Sequence, residues 1–261
     1  MLDESARLAL AGTEFADVRW FDEVDSTNKV AADLVRRGTA AAHGSAVVVA
    51  DHQTEGRGRL GRQWEAPPGS SLLLSVVSRP ASLAQVHRLA TSVALAAVAA
   101  CQEVAGVEAR LKWPNDLVAG DRKLGGILGE IVRDGADLAA VVGLGINVNW
   151  EPPEAPPPPG VALNQLVGRP VDRAALLVAL LRHLDRLYPA VDRADGEASL
   201  VQQYRARSAT IGRRVRVELS AGAVEGQAVD VTADGHLVVQ DDDGRRRVVA
   251  AGDVVHVRPT G

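Results

Sequence analysis

Cysteine is almost missing from this 261-residue chain. Cys101 stands alone, so no internal disulfide and no cysteine-built zinc site can form. A reducing, cytoplasmic setting is the expectation. Lysine is nearly as scarce: Lys29, Lys112 and Lys123 stand against 26 arginines. Aromatic residues make up 3%, and alanine, valine and leucine fill the apolar positions. A basic surplus is also lacking. The formal charge is −4 and the pI about 5.9, so nothing attracts nucleic acid to the chain as a whole. The longest apolar stretch, Val93 to Cys101, is far short of the ~20 residues a membrane span needs, so no membrane partner is expected. The opening residues have no basic stretch leading into an apolar one, so no secretory signal is expected. His43, His52, His87, His183, His236 and His256 show no metal-ligand spacing, and no G-x-S-x-G elbow occurs. What is present, 46% hydrophobic and 24% charged residues, suits a soluble globular protein of one large domain or two unequal ones.

The pattern along the chain alternates strands and helices before changing character. Val18 to Val24 reads as a strand. A helix follows to about Arg37, opened by Asp25 or Ser26 as cap and ended by Gly38. Ala46 to Ala50 and Ser71 to Ser78 read as strands, and Leu83 to Val104 as a long buried helix. Arg110 to Pro114 predicts a strand that restarts at Asn115. Leu124 to Val132 and Leu138 to Leu144 predict a hairpin around Asp134-Gly135. Six prolines between Glu151 and Gly160 exclude helix and central strand there. Arg173 to Tyr188 and Glu197 to Ala206 predict helices. From Thr210, short alternating runs between Gly-containing turns predict a small barrel or sandwich. Asp241 to Arg247 reads there as a solvated Asp-Gly hairpin tip, its aspartates facing its arginines.

Four segments could carry chemistry. Gly56-Arg57-Gly58-Arg59-Leu60-Gly61-Arg62 combines a permissive backbone with planar cationic donors for carboxylate or phosphate. It also fits G-x-G-x-x-G. Gln63 to Gly69 contains two prolines where a dinucleotide site would need a helix, so that reading is rejected. No protein-kinase elements follow either. Lys112-Trp113-Pro114-Asn115-Asp116 offers an apolar platform beside an amide and a carboxylate; a buried Trp with a turn explains it nearly as well. Lys123-Leu124-Gly125-Gly126 puts a lysine on a strand whose glycines admit another backbone or a flat ligand. Gly143-Leu144-Gly145-Ile146-Asn147 ends a strand with an amide suited to a ring or ribose. Cys101, inside an apolar helix, reads as an inert core residue.

In this order, these segments resemble the biotin protein ligases. That family carries S-T-N, G-R-G-R-x-G-R, K-W-P-N-D, K-x-x-G-I and G-x-G-x-N. Here the matching residues run from Ser26-Thr27-Asn28 through Gln53 and the glycine loop to Asn149. The resemblance implies an α+β fold, a mixed sheet with helices on one face related to class II aminoacyl-tRNA synthetases. A small SH3-like β-barrel would follow it, with domains at 1–208 and 209–261. Family members that double as repressors carry a helix-turn-helix domain of ~60 residues ahead of the S-T-N helix. Only 25 residues precede Ser26 here, so the ligase-only type, without DNA binding, is expected.

The resemblance further implies ATP-dependent activation of biotin as biotinyl-5′-AMP, then transfer to a lysine of a biotin carboxyl carrier protein domain, with Mg2+ neutralising the phosphates. Lys123 and Arg59 would be catalytic. Ser26, Thr27, Asn28 and Gln53 would bind the biotin head. Gly56, Arg57, Gly58, Arg59, Lys123, Gly125 and Gly126 would surround the carboxylate and α-phosphate, and Trp64 would cover the adenine. Arg62, Asn115, Asp116 and Asn147 would serve the nucleotide side, with no metal ligand identified and Asp116 as a candidate base in the transfer step. The glycine loop, with its mutually repelling arginines, is expected to close on the adenylate. Two other readings compete. A lipoate or other acyl-acid ligase of the same fold is disfavoured by the absence of that group's R-R-x-S-G-G-G loop. A non-catalytic biotinyl-AMP-binding regulator is disfavoured by the presence of Lys123 and all the loop arginines.

Overall fold

A computed structural model describes residues 2–39, 45–79, 82–134, 137–154, 158–193, 195–219, 222–250 and 252–256. His43, the Gly135 turn, the middle of the proline tract and Val257 lie outside them. The helices are α1 (Glu4–Leu10), α2 (Thr27–Arg36), α3 (Leu83–Ala105), α4 (Leu163–Val167), α5 (Arg173–Leu187), α6 (Pro189–Asp192) and α7 (Gly196–Arg207). The first seven strands are β1 (Asp17–Val24), β2 (Ala46–Gln53), β3 (Ser71–Ser78), β4 (Arg110–Lys112), β5 (Asp116–Ala119), β6 (Arg122–Asp134) and β7 (Asp137–Asn147). Five more follow: β8 (Arg214–Leu219), β9 (Gly222–Val231), β10 (Leu237–Gln240), β11 (Arg246–Val249) and β12 (Asp253–His256).

The first seven strands form one sheet in the order β1-β2-β3-β7-β6-β5-β4, parallel between β1 and β2 and antiparallel elsewhere. Alternation sorts each strand's residues between the two faces. One face sends Val47, Val49, Leu72, Leu74, Val76, Val142, Leu144 and Ile146 into the main core with α3 and α5. By length and composition α3 could cross a membrane, but here it lies largely buried in that core. Cys101 within it is fully buried, and burial pushes its thiol up to about 12, which keeps it inert.

The helices are not confined to one face, as the resemblance implied. α2 covers the second face, packing Ala31 and Val35 on Ala46, Val48, Val77, Val132, Ala139 and Val141. Where α2's cover stops, the same face continues as Gly143 and Gly145 of β7 opposite Leu128 and Gly126 of β6. That uncovered, glycine-lined end is where the candidate site lies.

One other expectation changes in detail. The chain reverses after Lys112, so β5 runs antiparallel to β4 instead of continuing it. Lys123 stands on β6, an interior strand between β5 and β7. The last five strands form a separate antiparallel sheet, β11-β10-β9-β8-β12, around Val215, Val217, Ala228, Leu237 and Val239. Trp113 belongs to this second core and is 3% exposed. Its backbone N–H donates to Thr210 Oγ1 (3.0 Å) and its indole N–H to the Gly235 carbonyl (2.8 Å). The indole expected as a ligand platform is therefore spent on joining the two sheets.

Candidate active site

At the head of α2, Ser26 occupies the N-cap position but makes no side-chain cap bond. The cap comes from Gln53 at the end of β2, whose Oε1 accepts from the Thr27 backbone N–H (2.8 Å) and the Thr27 hydroxyl (3.0 Å). Each first-turn N–H needs a partner, and here a residue distant in sequence supplies it. Ser26, Thr27 and Asn28 are all buried. Asn28 Oδ1 accepts from Ser75 on β3 (2.6 Å), and its amide N–H donates to Glu130 (2.6 Å) and to the Leu128 carbonyl (3.3 Å). A Cβ at Gly143 would run into Asn28 Oδ1, so this glycine makes the room for Asn28.

The glycine loop folds back on itself as a short ribbon. The Gly58 N–H donates to Arg62 O (2.7 Å) and the Trp64 N–H to Gly56 O (2.9 Å). A 3₁₀ turn at Arg59–Gly61 makes its tip, and Leu60 there adopts φ 57, the only non-glycine in the left-handed region among the described residues. No dinucleotide-type helix follows the loop. A Cβ at Gly56 would collide with the Trp64 carbonyl. A cavity of about 700 Å³ lies along the loop, lined by residues 55–63 with Leu128 and Glu130.

Trp64 brings the loop down onto the glycine floor. A Cβ at Gly145 would stand 2.7 Å from its ring and one at Gly126 3.5 Å, while Gly125 admits the Gly145 carbonyl. The flat group received by Gly126 and Gly145 is thus the chain's own indole. Its N–H is buried with no hydrogen-bond partner among the described residues, which costs roughly 1–3 kcal/mol. Lys123 Nζ lies 5.8 Å from the indole centroid and 2.7 Å from Asp116 Oδ1.

Lys123 is held by its backbone. Its N–H donates to Pro159 O (2.7 Å) and its carbonyl accepts from the Val161 N–H (2.9 Å), so the end of the proline tract fixes it. Asn147, expected on the nucleotide side, is buried. Its amide donates to Lys123 O (3.4 Å) and Val161 O (3.2 Å) and accepts from the Trp150 indole (3.2 Å). That amide is spent on positioning Lys123.

The loop arginines reach three different elements. Arg57 lies 4.0 Å from Glu130, Arg59 donates to Asn115 Oδ1 (3.4 Å), and Arg62 pairs with Asp253 of β12. Asn115 is pinned to β6 through Ile127. Burial holds the half-buried Lys112 ammonium below its usual range, with the Lys123 cation adding to the effect and Asp116 opposing it. His52, beside the loop, meets Glu23 (3.0 Å). Among the described residues no cluster of three His, Cys, Asp or Glu side chains could hold a metal on its own. A second cavity, about 460 Å³ and bounded by α3, α5 and α7, shares none of these groups.

Ser75, Glu130 and Asp253 were not anticipated from the sequence. A serine in a strand, a glutamate beyond the K-x-x-G-I segment and an aspartate near the C-terminus carry no local signal. Only strand register and the meeting of the two sheets bring them here.

Comparison with known proteins agrees with this arrangement. Residues 20–147 match the Biotin/lipoate A/B protein ligase family, and residues 210–257 match the Biotin protein ligase C terminal domain. The biotin–[acetyl-CoA-carboxylase] ligase of Mycobacterium tuberculosis is 41% identical over 247 residues, 92% of this chain and 90% of that protein. The chain belongs to the biotin protein ligase family. Another biotin protein ligase relative, the biotin–[acetyl-CoA-carboxylase] ligase of Paracoccus denitrificans, is 31% identical over 87% of this chain and 95% of its own length. Among solved structures, the biotin protein ligase of Aquifex aeolicus in complex with biotin and ATP superposes with a TM-score of 0.77 at 27% identity, covering 93% of this chain and 99% of that one.

Proposed function

We infer that this protein is an ATP-dependent biotin–protein ligase that forms biotinyl-5′-AMP and transfers the biotinyl group to a lysine of a carrier domain of a biotin-dependent carboxylase. The observation that carries the reading is the convergence, on one glycine-floored sheet end, of Lys123, Trp64 and a loop bearing Arg57, Arg59 and Arg62. In the first step a biotin carboxylate oxygen attacks the α-phosphorus of ATP, and pyrophosphate leaves with the electron pair of the broken P–O bond. An anion must approach a polyanion, so cations govern the barrier. Lys123 and Arg59 supply them, while Arg57 stands nearer the biotin end, beside Glu130. In the second step the acceptor lysine nitrogen attacks the acyl carbon, AMP leaves, and the amine gives up a proton.

Thr27, Asn28 and Gln53 form the head end of the site beside Ser26. Asn115 and Asp116 face the nucleotide, and Asp116, held as the partner of Lys123, remains our candidate for the proton acceptor in transfer. Asn147 is assigned a supporting role through Lys123. Asp116, with Asn115 beside it, would hold a magnesium ion brought by ATP, and the ion would neutralise phosphate charge. Arg62 acts through its link to Asp253. The loop closes over the adenylate and keeps water from the anhydride.

We draw the boundary between a catalytic domain, 1–208, and an SH3-like C-terminal barrel, 209–261. In support, α7 ends at Arg207 and the separate five-stranded sheet starts with β8 at Arg214. The reading places the protein in the cytoplasm and without a DNA partner. The net charge of −4 gives the chain as a whole no attraction for nucleic acid, and α1 packs against α5.

The test is incubation with ATP, Mg2+, biotin and a carrier domain, followed by mass measurement of the acceptor. The expected result is one added biotinyl group. Pyrophosphate release stimulated by lipoate instead of biotin would overturn the assignment, and adenylate formation without transfer would favour a regulator. Cleavage in the 57–62 loop should slow when biotin and ATP are both present.

A further inference from the structure

We propose that Glu130 and Ser75 are positioning residues that set the hydrogen-bond direction of the biotin-head site from behind it. The inference rests on the ligase reading above.

Each assignment follows from which atoms can donate. The Leu128 carbonyl and the Glu130 carboxylate only accept, so Asn28 must turn its amide N–H group toward them (3.3 and 2.6 Å). Its Oδ1 then faces Ser75 Oγ at 2.6 Å, and Ser75 must donate there. Ser75 has one proton. At its 2.8 Å contact with Thr27 Oγ1 it can therefore only accept. The Thr27 backbone N–H likewise fixes Gln53 with Oε1 toward α2. The Thr27 hydroxyl proton has two possible destinations, Gln53 Oε1 at 3.0 Å or Ser75 Oγ, and both lie within the protein.

Two consequences follow. Thr27 Oγ1 is left to a ligand purely as an acceptor. Gln53 turns its amide N–H group toward the loop, 3.1 Å from where a Cβ at Gly56 would stand. An acceptor beside a donor matches a group carrying N–H next to C=O, as in a cyclic urea. A fixed polarity of this kind selects a ligand by leaving buried groups unpaired when the match fails. The same Glu130 lines the loop cavity with its other oxygen 4.0 Å from Arg57. One carboxylate thus serves both the buried chain and the loop.

The experiment uses the full-length protein and measures biotin affinity by calorimetry without ATP. Glu130→Gln can present either end of its amide to Asn28, and Ser75→Ala cuts the chain one step further on. Each should weaken biotin binding ~10-fold with the melting temperature retained. The double variant should lose no more than about the same factor, because both changes break one chain. The two cyclic carbamates in which oxygen replaces one or the other ring N–H of biotin supply the second readout. The wild type should bind at least one of them ~10-fold more weakly than biotin, and that gap should narrow in both variants. Losses that multiply in the double variant, or an undiminished gap, would overturn the proposal. So would variants that bind like wild type. If one variant unfolds, the other with the carbamates still decides. Failure of the wild type to bind biotin at all would instead strike the ligase reading.

Discussion

Two arginine-rich segments of this chain look alike as strings and behave differently as structures. At the β10–β11 turn, the partners of Arg245 and Arg246 lie close in sequence. Arg245 meets Asp243 (3.1 Å) and Arg246 meets Gln240 (3.3 Å), while Asp242 takes Arg214 of β8, two strands away from β10 (2.7 Å). The charged side chains are exposed, and such pairs contribute little. In the glycine loop, Arg57, Arg59 and Arg62 reach β6, Asn115 and β12. An arginine satisfied by its neighbours is neutralised in place. One whose partner belongs to another element ties the loop to that element and can exchange the partner for a ligand.

The contrast can be broken most severely at Lys123, which the loop faces across Trp64. Lys123→Ala should lower biotin-dependent pyrophosphate release by ~10²–10³-fold while circular dichroism stays unchanged. Gly145→Ala puts a methyl group into the indole of Trp64 and should displace the loop, costing ~10–100-fold in the same assay. Asp253→Asn removes the cross-sheet partner of Arg62. That pair is partly exposed, so the rise in KM for ATP should stay within ~5-fold. Arg246→Ala, at the self-satisfied turn, should change no rate by more than ~2-fold. A large effect there would erase the distinction.

A pH experiment probes the contact between the sheets. His256 Nδ1 faces the Arg213 guanidinium (3.2 Å), and burial together with Lys112 and Arg213 brings its imidazole down to about 4. Burial also lowers His87 of α3, whose ring lies against Gly235. The unfolded chain takes up these protons near ~6.5, before the folded protein does. Stability should therefore fall as pH drops from ~6.5 toward 5, and His256→Gln should flatten the fall in a thermal-melt series.

Much of this was legible in the residues themselves. β3 runs from Ser71 to Ser78, the bounds read from the sequence, and α2 stops at Arg36, just ahead of Gly38, whose φ is +64. The glycine loop, Lys123 and the two strand-end glycine pairs could be picked out because each is a cluster of unusual residues in a short window. Trp113 was not legible in the same way. A tryptophan beside a proline suits a ligand platform and a buried plug equally, and only the position of the second sheet decided for the plug. Asn147 likewise spends its amide on the backbone of Lys123.

The sequence by itself determined the elements, the separate antiparallel module after Thr210, and which side chains could handle anions. These depend on periodicity, turn chemistry and local charge, all expressed within a few residues. Tertiary structure alone decided that α2 covers only part of one sheet face, that Trp64 occupies the glycine floor beyond it, and that Glu130, Ser75 and Asp253 serve the site. Those outcomes depend on strand register and on how two sheets meet. A register shift of one residue would turn Ser75 and Glu130 to the opposite face and leave every local signal in the sequence unchanged.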